Sequence, residues 1–176
     1  MNGNFLGIGA DLMTNASVLV EQSQPMGLLI TNGEFTAFCD TDHAFCGREG
    51  TFPRHVQVEA TNHGAVKFVN SAFWGPAGQV AQVDGKGTVT FSQCHFDAWD
   101  RHEKNGTYVT MGTPAISQVG GNLIVSNVDF TQGGKNTHLQ IENGSKTIFT
   151  GNIIEGPMVI QGTASVKHIV ANNADG

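Results

Sequence analysis

The amino-acid sequence predicts an all-β fold, a single-stranded right-handed parallel β-helix (a solenoid) of about six to seven turns. Three observations predict it: five copies of one strand pattern, a second strand and tight turn before most copies, and a strand-and-turn composition. The copies Leu28–Phe35, Val66–Phe73, Val89–Phe96, Leu123–Phe130 and Thr147–Ile154 align without gaps. Their first and third residues are mostly large and apolar, the alternation of a strand with one buried face. The eighth residue is Phe35, Phe73, Phe96, Phe130 or Ile154, and stacking would lay these side chains in one internal column. The fifth is Asn or Gln in four copies, which suits a bend where an amide side chain satisfies the backbone.

Taken in order, residues 1–25 show no amphipathic helix and read as a strand pair, Asp11–Met13 and Ser17–Glu21. Leading strands are then expected at His55–Glu59, Val80–Val83, Ala115–Val119, His138–Ile141 and Met158–Ile160. Each runs into a turn rich in glycine or asparagine, at 62–64, 84–87, 120–122, 142–144 and 162–164. A weaker sixth copy covers Lys167–Asn173. Spacings of 38, 23, 34 and 24 residues between eighth positions give a unit of about 23 residues. The first and third units therefore carry long insertions, at 39–54 and 98–113. One domain, 1–176, is expected. Solenoid ends need covering, so the chain reads as a piece of a longer protein with flanking domains, or as a module closed by homo-oligomerisation.

Composition narrows the function classes. Charged residues are 14% of the chain, against roughly 25% in an average soluble protein. A formal charge of −6 argues against a nucleic-acid partner, which takes a basic stripe. No apolar run approaches the ~20 residues of a membrane span, and the start has no signal-peptide pattern. Of the three cysteines, Cys39 and Cys46 flank a short loop and are close enough in sequence to pair, whereas Cys94 reads as a small core residue. No second close pair completes a zinc site, and no metal centre is expected from them. His55, His63, His138 and His168 read as scattered over different repeat positions. The sequons at Asn15, Asn105 and Asn143 are expected by chance in an Asn-rich chain.

Over about residues 26–173 these strand motifs resemble the right-handed parallel β-helix (pectate-lyase-like) superfamily, which includes pectate lyases, polygalacturonases and phage tailspikes. The resemblance is one of repeat pattern. The paired-aspartate and Gly-His-Gly pattern of polygalacturonases is absent, as is the arginine-bearing signature of pectate lyases. The resemblance implies a polysaccharide partner and an extracellular or cell-surface setting.

Both insertions leave the coil after the same strand two turns apart, so their bases are expected on the order of 10 Å apart with Trp74–Pro76 as a floor between them. They gather the charge of an otherwise weakly charged chain: Asp40, Asp42, His43 and Arg48 in one, Trp99, Asp100, Arg101, His102 and Tyr108 in the other, with Asp97 just before. Aromatic rings beside carboxylates suit sugars, since rings stack on C–H faces while acids accept from hydroxyls. The expected substrate-binding residues are Trp74, Trp99, Arg48, Arg101, Tyr108 and His43. Hydrolysis would use Asp97 and Asp100 as principal acids with Asp40 or Asp42, assisted by His102, and needs no cofactor. A lyase would use a base such as His102 or Arg101 and a cation such as Ca²⁺. The other reading is a non-catalytic structural or adhesive module whose polar loops are only solvated.

Overall fold

The computed structural model describes residues 3–8, 16–23, 27–38, 54–74, 77–104, 107–132, 137–142, 146–162 and 167–176. They form a right-handed parallel β-helix of about six turns, with no helix among the described residues. Three parallel sheets wrap the coil. Sheet B holds the leading strands Ala16–Val20, Arg54–Val58, Gln79–Val83, Ile116–Gln118, Leu139–Ile141 and Ile160–Gly162. Sheet C follows the turn with Leu28–Thr31, Val66–Val69, Thr88–Ser92, Asn122–Ser126, Thr147–Thr150 and His168–Ala171. Sheet A follows the bend with Gly3–Ile8, Gly33–Phe38, Ala72–Trp74, His95–Asp97, Asp129–Thr131, Ile153–Ile154 and Ala174–Asp175.

Alternation at each copy's start sends its first and third residues inward. Phe68 lies opposite Phe91, and Val89 opposite Leu123, all at most 1% exposed. The eighth residues form the expected internal column. Phe35, Phe73, Phe96 and Phe130 are fully buried and in register, Phe35 and Phe73 stacking at 4.5 Å. The N-terminal end adds a strand beyond the expected layout. The first strand of sheet A is Gly3–Ile8, which sets Phe5 opposite Phe35, while Asp11–Met13 lies outside the described residues. At the far end the last sheet-B strand begins at Ile160, two residues beyond the expected Met158.

The bend explains the fifth and sixth positions. Asn32, Asn70, Gln93, Asn127 and Asn172 take left-handed backbone, φ between 48° and 56°, with Gly151 at 70°. Asparagine and glycine tolerate that region best, because a Cβ there crowds the following carbonyl. The sixth residue points inward and serves the turn before it. Ser71 Oγ accepts the N–H of Gly33 (3.1 Å), and Asn152 Oδ1 accepts that of Val128 (2.9 Å). Asn173 Oδ1 likewise accepts the N–H of Asn152 (3.0 Å), while its Nδ2 donates to Phe149 O. Cys94 occupies the same place, 4% exposed, with Sγ toward Phe68 O. Burial pushes its thiol up to about 11, in keeping with the expected core role.

Candidate functional site

The site is built from the seventh and ninth residues, which flank each buried eighth residue and so point out of sheet A. One outward row runs Glu34, Ala72, His95, Asp129, Ile153. The other runs Thr36, Trp74, then Asp97 and Thr131. Parallel strands in register hold these side chains about 4.8 Å apart from turn to turn. Trp74 is 37% exposed, and its Nε1–H donates to Glu34 Oε1 (3.1 Å). The indole is thereby held at its edge while part of the ring stays open to solvent.

Beside it lies a polar relay. His95 Nδ1 is 3.2 Å from Asp129 Oδ2, and His95 Nε2 is 3.3 Å from Thr131 Oγ1. The Thr131 hydroxyl donates to Asp97 Oδ1 at 2.9 Å. Next along the face, Glu155 Oε2 accepts the N–H of Gln132 (2.7 Å). The face thus offers one ring, one imidazole, one hydroxyl and several carboxylates, a set able to bind hydroxyl-rich molecules. Among the described residues no cluster of His, Cys, Asp or Glu has the arrangement to hold a metal ion.

The structure brings Trp74 and Asp97 onto one face and redirects two other expected residues. Trp99 is not a stacking platform here: its ring is 1% exposed and packs edge-on against Phe130 (6.0 Å) and His138 (5.4 Å). Nor does Asp100 face a groove as a free acid. It is fully buried, and its carboxylate accepts the N–H groups of Met111 (3.0 Å), Gly112 (3.0 Å) and Thr113 (3.0 Å). Left-handed backbone at Ala98 and Asp100 folds this stretch inward, where Asp100 N and Arg101 N donate to Gly78 O and Ala77 O. Asp100 therefore ties the two ends of the second insertion together.

Between those ends the insertion is an antiparallel hairpin, His102–Lys104 paired with Thr107–Val109 and Glu103 opposite Tyr108. His102 and Tyr108 are thus on the hairpin strands, and Arg101 is half-buried at their root. Asp40, Asp42, His43 and Arg48, with Cys39 and Cys46, lie outside the described residues. Sequence reading passed over His95, Asp129, Thr131 and Glu34. The signal was present, since a residue on either side of a buried phenylalanine in a strand must point outward. The histidines also need correction: His55 and His138 are one residue ahead of Val56 and Leu139, which share a register position through Ala81 and Ile116. They hold the same place in their turns.

No family model matches the chain, and no curated protein or solved structure matches it either.

Proposed function

We propose that this β-helix binds a polysaccharide on the outer face of sheet A, with Trp74 as the stacking platform and Asp97, Asp129, His95 and Thr131 as hydroxyl partners. The observation that carries this reading is Trp74. A large ring left 37% open on a rigid parallel strand, pinned at its N–H and lying in the same outward row as Asp97, has the form of a sugar platform. The pectate-lyase-like resemblance of the repeat favours the same partner. In a hydrolytic version Asp97 is the principal acid, assisted by His95 through Thr131, and no cofactor takes part. The lyase version would add Ca²⁺ as the acidifying cation.

The test is affinity electrophoresis and calorimetry against neutral and uronic-acid polysaccharides, followed by assays for new reducing ends and unsaturated products. Trp74→Ala should lower affinity about tenfold or more while the chain stays folded, at a cost of about 1–2 kcal/mol for the buried part of the ring and its hydrogen bond. Binding unchanged in Trp74→Ala, or absent for every glycan, refutes the reading.

A second reading is favoured by a different observation: each polar group of the relay already has a partner within the protein. A self-satisfied face suits a non-catalytic structural or adhesive module, and its signature would be a stable homo-oligomer in light scattering with no glycan bound.

A further inference from the structure

We infer that the coil contains an acid-sensitive seam where the chain enters sheet B, formed by His55 and His138. In two of its turns the seam has a backbone cause. Val80 N and Ala81 N both donate to Ala115 O, and His138 N and Leu139 N both donate to Val159 O. Two successive N–H groups on one carbonyl break the simple alternation, so two successive residues turn inward. His55 with Val56, Val80 with Ala81, Ala115 with Ile116, and His138 with Leu139 are all buried. Two turns fill the first of these places with Val80 and Ala115, and two fill it with a titratable ring.

The surroundings of those rings suit only a neutral imidazole. His55 is 1% exposed and meets Phe73 edge-on at 5.8 Å, and neither of its ring nitrogens has a hydrogen-bond partner. His138 is fully buried between Trp99 and Phe130. Val159 N–H donates to its Nδ1 at 3.1 Å, and its Nε2 has no partner. The rings facing both imidazoles are uncharged. Arg54, next to His55, turns its guanidinium to Gln57 and Gln82, and Asp100, next to Trp99, turns its carboxylate to the amides of 111–113. A proton on either imidazole would thus sit in the core without a counter-charge among the described residues.

Burial accordingly lowers His55 to about 4 and lowers His138 as well. In an unfolded chain both titrate near 6.5. The stability they permit is complete above pH 6.5 and is lost as pH falls from there toward about 4, because the unfolded chain takes up protons that the folded one refuses. The upper part of the window, from pH 6.5 to about 5, lies above the pH at which ordinary carboxylates titrate.

The experiment is urea unfolding of the full chain at pH 7 and pH 5.5, for wild type, His55→Leu, His138→Leu and the double variant. His55 alone should raise the unfolding equilibrium constant about eightfold between those two pH values, and His138 should add to it. The double variant should lose that pH dependence. An unaltered dependence in the double variant overturns the inference. Should a variant fail to fold, NMR titration of the wild-type imidazoles decides: His55 must stay neutral down to about pH 4, and an ordinary titration near 6.5 overturns it. Amide exchange gives the location. On acidification, 54–58 and 138–141 should lose protection before 122–126 of sheet C, and uniform loss excludes a seam.

Discussion

Replacing Asp100 by alanine separates a structural carboxylate from a catalytic one. The substitution removes an acceptor bonded to three backbone N–H groups, each at 3.0 Å, from a position with no solvent exposure. A hydrogen bond to an ionised group contributes about 1.5–3 kcal/mol when both partners are buried. Met111 and Gly112 are exposed, so water can take over part of their bonding, and about 1 kcal/mol for each of the three bonds is the fairer figure. Alanine also suits left-handed backbone less well than aspartate at φ 60°, which adds about 0.5–1 kcal/mol. The expected loss is therefore about 3–4 kcal/mol. Asp100→Asn keeps an acceptor oxygen and the tolerance for this φ, and should cost only about 1–2 kcal/mol. Urea unfolding at pH 7, monitored by Trp99 fluorescence, measures both. A loss below about 1 kcal/mol for Asp100→Ala would refute the tie, and lost turnover in a fully stable Asp100→Asn would return the residue to catalysis.

Two further substitutions probe the bend. Asn152→Ala leaves the buried N–H of Val128 without its acceptor and removes the donor to Val125 O, so thermal unfolding should show about 2–4 kcal/mol lost. A shift of less than about 1 kcal/mol would mean that the amide is dispensable. Gln93→Gly, at φ 55°, relieves a left-handed side chain and should be stabilising by about 0.5–1 kcal/mol, whereas a loss in the same melt would show that the Gln93 side chain contributes more than its backbone costs.

What was legible in the sequence follows from how short-ranged each cause is. The phenylalanines at four of the five eighth places and the amides at four of the five fifth places are set by local pattern, and both lie where that pattern predicts. Trp99 and Asp100 were misread because a run such as Asp-Arg-His-Glu looks solvated when only neighbours in sequence are considered. Their burial depends on left-handed backbone at Ala98 and Asp100 and on amides 11–13 residues away. The inward pairing of His138 with Leu139 was hidden for a similar reason: a shared carbonyl in the next turn breaks alternation, and no strand carries that information alone. Gly3–Ile8 escaped notice because its identity as a strand comes from pairing with Gly33–Phe38. The relay around His95 needed only the alternation already in hand.

The inward sixth residues give the coil a direction in time. Ser71 completes Gly33, Asn152 completes Val128, and Asn173 completes Asn152, so at these three bends the help comes from the turn made later. A chain synthesised from its N-terminus therefore leaves the bends at Gly33, Val128 and Asn152 waiting for their acceptors until the next turn is made. At those bends growth should proceed one way, each rung held by the next.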